Sequence, residues 1–101
     1  MEKIWFAEYQ KTGIPETVEL PQENTSLIDI FERNFQKFGS RDAFIFMDKT
    51  LSFNELDVAS RQFAAYLQGL GLAKGSRVAV MMPNVLQYPV VALGVLRAGL
   101  V

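Results

Sequence analysis

One short run constrains this chain more than any other: Arg77-Val78-Ala79-Val80-Met81-Met82, rich in β-branched residues and apolar at successive positions. A strand with one wet face alternates apolar and polar side chains. A strand that is apolar on both faces needs cover above and below, which is the place of a central strand in a parallel sheet. Parallel strands cannot be joined by tight turns, so helices must connect them. The expected fold class is therefore α/β, and the flanking residues should supply the helices.

They do so in a definite order. Ser26 can cap a helix, with Asp29 three residues on at the positive end of its dipole. Leu27, Phe31, Phe35 and Phe38 then recur on one face with Ile30 beside them, Asp29 and Arg33 pair on the wet side, and Gly39 ends the element. Ala43–Met47 and Thr50–Phe53 read as a hairpin turning at Asp48-Lys49. Asn54 is placed to cap a second helix whose buried face is expected to be Leu56, Ala59, Phe63, Tyr66, Leu67 and Leu70, with Asp57 and Arg61 paired on the outside. Gly69 and Gly71 stop it. After the strand, Pro83-Asn84 opens a third helix, apolar nearly all round from Val85 to Leu96, which Pro89 should kink near its start and Gly99 should cap. Leu100-Val101 begins a further strand. The order is helix, hairpin, helix, strand, helix and start of a strand. Such an order belongs to a fold still under construction, and a fragment is expected. Residues 1–25 show neither helical nor alternating period and read as an extended N-terminal arm, anchored only by Trp5, Phe6 and Tyr9; residues 26–101 form the incomplete α/β piece.

The side chains exclude much chemistry. Among 101 residues there is no Cys and no His, which removes thiolate nucleophiles, Cys-based metal sites and the commonest general base. Ser26, Ser40, Ser52, Ser60 and Ser76 have no imidazole to activate them. Ten Lys and Arg face eleven Asp and Glu, so no basic excess recommends nucleic acid. Asp42, Asp48, Glu55 and Asp57 are scattered, and helix dipoles explain the latter two; they make neither a metal cluster nor a hydrolase pair. Gly71-Leu-Ala-Lys74-Gly75-Ser76 invites a phosphate-loop reading, yet Lys precedes Gly, and the loop leaves a helix and enters a strand. That is the reverse of what a phosphate loop needs, and Gly69-x-Gly71 fails as a dinucleotide fingerprint for the same reason. The start of the chain has no uninterrupted apolar region or small-residue cleavage site, and Val85–Val101 is broken by Gln87, Pro89 and Arg97 and is too short to span a bilayer. A cytoplasmic location is expected, with peripheral attachment to the inner membrane as its furthest departure.

Three stretches resemble the adenylate-forming enzymes: Leu51-Ser52-Phe53-Asn54-Glu55-Leu56, then Lys74-Gly75-Ser76-Arg77 through Asn84, then Gly94-Val95-Leu96-Arg97-Ala98-Gly99. Lys3-Ile4-Trp5, Arg61 through Gln68, and Met81 through Pro89 are similar to the bacterial long-chain fatty acyl-CoA ligases within that group. Ser76 stands where the family usually has Asp, at a structural position. The resemblance implies that the chain is a partial N-terminal subdomain of a larger ligase, which would take a long-chain fatty acid, ATP with Mg2+ and coenzyme A. The family's phosphate loop, adenine-binding region and C-terminal lysine would all fall beyond residue 101. The resemblance therefore implies no catalytic, cofactor-binding or metal residue on this chain, and no cofactor held by it. Its expected partners are the remainder of the parent enzyme and, through exposed apolar segments, further copies of itself. The alternatives are the same piece of another adenylate-forming acid–CoA ligase, or a stand-alone α/β interaction module.

Overall fold

In the computed structural model, which describes residues 3–19 and 26–101, the elements run α1 (Phe6–Thr12), α2 (Leu27–Phe38), β1 (Asp42–Phe46), β2 (Lys49–Ser52), α3 (Phe53–Gly69) and α4 (Gln87–Arg97). The first element corrects the extended arm. Phe6–Thr12 is helical, with Phe6 flanked by Trp5 and Tyr9 at ring-centroid distances of 6.1 and 6.0 Å. Those aromatics meet one another and do not dock: no residue of α1 is buried, and α1 touches none of the other described elements. Residues 1–2 and 20–25 of the expected arm lie outside the described residues.

Ser26 caps α2 as the sequence predicts, accepting from the Asp29 N–H at 3.2 Å. Phe35 is buried, with Phe31 and Phe38 half-buried beside it, but Leu27 is exposed among the described residues. Gly39 follows α2 in ordinary right-handed geometry. Its missing side chain answers a contact instead: a Cβ there would overlap the Asn54 carboxamide, whose backbone N–H donates to Gly39 O at 2.9 Å. Asn54 is thus a packing residue, and the cap of α3 falls two residues earlier. Ser52 accepts from the Glu55 N–H at 3.2 Å while Glu55 accepts from the Ser52 N–H at 2.8 Å, a full capping box.

The hairpin turns one residue before the expected place. Phe46 pairs with Lys49, and Met47 and Asp48 both take positive φ, 46° and 59°, as the two-residue turn of a twisted hairpin demands. Asp tolerates that geometry better than Met does. A bulge at Ala43 separates the Asp42–Ser52 and Phe44–Leu51 pairs.

The face that α3 buries is the expected one at Leu56 and Leu67 and shifted elsewhere. Leu56, Ser60, Ala64 and Leu67 are buried, whereas Tyr66 and Leu70 are exposed and Phe63 is only half-buried. The reason is the partner. Where α3 meets α4, Ser60 lies against Gly94, and the Ser60 hydroxyl turns back to donate to Leu56 O at 2.6 Å, so the hydroxyl itself is satisfied. Small residues let the backbones approach, and an apolar cluster closes each side. Phe35, Leu56 and Leu93 form one; Leu67, Val95 and Leu100 form the other.

Arg77–Met82 is extended but belongs to no ladder among the described residues, and Met81 is fully exposed. Only its beginning is paired. Val101 N–H donates to Ser76 O at 2.9 Å and Val78 N–H to Val101 O at 2.7 Å, the slanted pattern of parallel strands. The expected central strand is present as a first parallel contact with the segment after α4. Pro89 is the third residue of α4, where a missing N–H costs no intrahelical bond. At the other end Gly99, with φ 75°, permits the turn in which Leu100 N–H reaches Val95 O and Gly99 N–H reaches Leu96 O. No helix among the described residues is long and apolar enough to cross a membrane.

Candidate functional site

The loop that invited a phosphate reading is a β-turn. Ser76 N–H donates to Ala73 O at 3.0 Å across Lys74 and Gly75, with Gly75 at φ 81°, the position where such a turn requires glycine. Gly75 N–H is already committed to Gly99 O at 2.8 Å. The turn ties the entry of the extended segment to the end of α4 and presents no helix N-terminus to an anion.

The serines and carboxylates occupy structural positions. Ser26 and Ser52 cap helices, Ser60 back-bonds, and Ser40 and Ser76 lie in connections. Asp42 begins β1, Asp48 sits in the hairpin turn and Glu55 completes its capping box. The Ser52 N–H and then its hydroxyl hold the Glu55 carboxyl below its ordinary pKa. Only Asp57 enters a cluster. Its carboxylate and that of Glu32 are shared by two arginines. Arg97 Nη2 donates to Glu32 at 2.7 Å and to Asp57 at 2.6 Å, and Arg61 reaches Glu32 and Asp57 at 2.8 Å each. Arg97 Nη1 adds a bond to Asp57 O at 3.3 Å. Its guanidinium lies over the Phe35 ring, 5.2 Å from the centroid, with the side chain 7% exposed and Nε without a hydrogen-bond partner. Sequence reasoning placed Asp57 and Arg61 on the wet face as a local pair and did not find the ring. The signal was Arg97, the one charge in an otherwise apolar helix.

The ring is electrostatically saturated. Partial burial alone would raise the Asp57 pKa, but hydrogen bonds from Arg61 and Arg97, and then their charges, outweigh it and hold the carboxyl below its ordinary value. Such a group stabilises the fold above its unfolded pKa of about 4 and loses that contribution as pH falls through the lower folded value. Acid unfolding followed by circular dichroism should therefore show stability falling below about pH 4, and Asp57→Asn should flatten that limb; an unchanged limb would remove Asp57 from the account.

Two adjoining apolar clefts lie between the hairpin and the start of α4. One, of about 220 Å3, is lined by Phe31, Phe44, Leu56, Tyr88, Pro89 and Leu96 among others; the second, of about 200 Å3, adds Ile45, Phe46 and Val85, with Asn84 as its polar edge. No charged side chain lines either. They can hold apolar matter but offer no acid, base or nucleophile. Among the described residues no group of three or more His, Cys, Asp and Glu could hold a metal ion.

The sequence profile described as AMP-binding enzyme matches residues 31–101. Over 102 aligned positions the chain is 48% identical to a long-chain-fatty-acid–CoA ligase of Yersinia pestis, covering 100% of this chain and 18% of that protein. The chain thus spans under a fifth of the length of that curated relative. Among solved structures, an artificially fused adenylation–PCP di-domain, NpsA-ThdA from Klebsiella oxytoca, superposes with a TM-score of 0.69 at 32% identity, over 72% of this chain and 14% of that one. The anthranilate CoA ligase AuaEII, solved with anthranoyl-AMP, gives 0.71 at 23% identity, over 81% and 16%, and speaks to the fold alone. The fold is that of a partial N-terminal subdomain of adenylation enzymes.

Proposed function

Since the chain belongs to the AMP-binding enzyme family, we propose that it is the N-terminal portion of a long-chain-fatty-acid–CoA ligase and serves as scaffold for chemistry performed by other segments. The observation that carries this reading is the 48% identity across the whole chain to a ligase of that kind, against 32% to the adenylation di-domain. A fatty carboxylate is a poor acyl donor. Joining it to AMP from ATP, with loss of pyrophosphate, supplies a leaving group; attack by the CoA thiol then gives the thioester and releases AMP. Mg2+ would accompany ATP, and among the described residues no group of three or more His, Cys, Asp and Glu could hold it. This chain's part is to hold α2, α3, α4 and the hairpin as one packed unit.

Residues 1–25 are an appendage and residues 26–101 the incomplete α/β piece of the large domain; the family match beginning at residue 31 and the lack of contact between α1 and the other elements support this division. For the parent enzyme we further propose a cytoplasmic location, with peripheral attachment to the inner membrane as the alternative. The test is turnover. The whole protein carrying this chain, given oleate, ATP, Mg2+ and CoA, should form oleoyl-CoA and AMP, while the 101-residue chain alone should form no AMP above blank. Activity on aryl or amino acids without activity on oleate would overturn the substrate assignment; AMP formed by the chain alone would overturn the scaffold role.

The isolated chain should also self-associate. Phe44, Ile45, Phe46 and Met47 are exposed in a row on the hairpin beside the two clefts, and the backbone of Arg77–Met82 is largely unpaired. A contiguous apolar patch next to free strand edges favours contact between copies. Light scattering across a dilution series should report a mass above 11.4 kDa at high micromolar concentration, and a persistent monomer would refute it.

A further inference from the structure

We propose that the Glu32–Asp57–Arg61–Arg97 ring is a registry lock: it selects one rotational setting of α4 against α2 and α3 and adds little net stability. The need for a lock is visible in the helices themselves. α4 carries Tyr88, Val90, Val91, Leu93, Val95 and Leu96 around its circumference, so apolarity alone does not decide which side faces inward. On α3 the apolar residues spread beyond the buried face: Leu56, Ser60, Ala64 and Leu67 are buried and Phe63 is half-buried, while Tyr66 and Leu70 are exposed. Something other than hydrophobic pattern sets the match.

Arg97 supplies it. Its Nη atoms reach one acceptor on α2 and two on α3, from a side chain that is 7% exposed. Successive residues of a helix are about 100° apart, so a shift of α4 by one residue would carry the guanidinium away from both carboxylates. An unpaired charge would then be left buried, whereas the pairing shown satisfies both acids. Arg61, on the exposed side, neutralises the same two carboxylates and lets them lie together. The alternatives are thus penalised more than the native packing is favoured, which is how specificity is built against competing arrangements.

The test separates registry from stability. In the whole protein carrying this chain, Arg97→Met combined with Glu32→Gln and Asp57→Asn removes three of the ring's four charges, leaves only the exposed Arg61, and keeps the volumes. The thermal midpoint should move by less than about 5 °C, while the methyl resonances of Leu93 and Val95 split or broaden and amide protection along α4 falls at least tenfold. Arg97→Lys, which keeps the charge but loses the planar fork, should show the same heterogeneity; Arg61→Met should keep a single set of resonances. A triple variant with one sharp, wild-type set would overturn the proposal. So would one that unfolds, because the ring would then be a source of stability and not of choice.

Discussion

Leu56→Ala should destabilise the chain by about 2–5 kcal/mol, as truncation of a fully enclosed leucine does when the surroundings cannot collapse into the space. Leu56 has no exposed surface and packs with Phe35 and Leu93, so its removal opens a void where α2, α3 and α4 converge. The half-buried Phe31, Phe53 and Val90 around this cluster belong to three elements fixed by other contacts, which limits how far they can move inward. Tyr66→Ala is the control. Tyr66 lies on the same helix with 62% exposure, and its ring only stacks on Phe63 at 6.1 Å, so its loss should stay within about 1 kcal/mol. Urea denaturation of both variants decides the matter: comparable losses would mean that α3 is turned on its axis relative to the structure.

That contrast marks where the sequence was legible and where it was not. Cap residues, turn glycines and the order of elements are local signals, and they read well: Ser26 caps, Gly99 terminates, and the hairpin lies within one residue of its expected position. The rotation of α3 is not local. A periodic pattern selects the most apolar face, and it cannot know that α4 presents Gly94, which admits the small Ser60 into the contact beside Phe63. Arg97 posed a similar difficulty, since its two partners lie 65 and 40 residues away in the chain. α1 failed in the other direction: a seven-residue helix that touches none of the other described elements has too little period to announce itself. Arg77–Met82 reads as a central strand because its composition anticipates cover on both faces, while the described residues pair only its first positions. The sequence narrows the chemistry by elimination, as a chain without His or Cys has few ways to carry it, but the ring itself was not legible there.

Substitution at Gly94 should give the other large effect, and its sign is the informative part. In an exposed helix interior, Gly→Ala gains about 1 kcal/mol from helix propensity. At Gly94 a Cβ would meet Phe63 Cδ1 at 2.7 Å, Phe63 Cβ at 3.1 Å and Ser60 O at 3.1 Å. The phenyl ring can swing aside. The Phe63 Cβ and the Ser60 carbonyl belong to the backbone path of α3 and move only if the helices separate. Separation loosens both apolar clusters at once, because Leu56–Leu93 and Leu67–Val95 lie on either side of this contact. It also draws Arg97, three residues further along α4, away from Asp57. Gly94→Ala should therefore be destabilising by about 1–3 kcal/mol despite its propensity gain, and Gly94→Val, which adds two further carbons at the same point, by about 3 kcal/mol or more. Pairing Gly94→Ala with Phe63→Leu should recover only part of the loss, since the Ser60 carbonyl remains in place. Equilibrium denaturation of the three variants provides the check. A Gly94→Ala chain more stable than its parent would show that α3 and α4 do not approach as closely as Ser60 and Gly94 indicate.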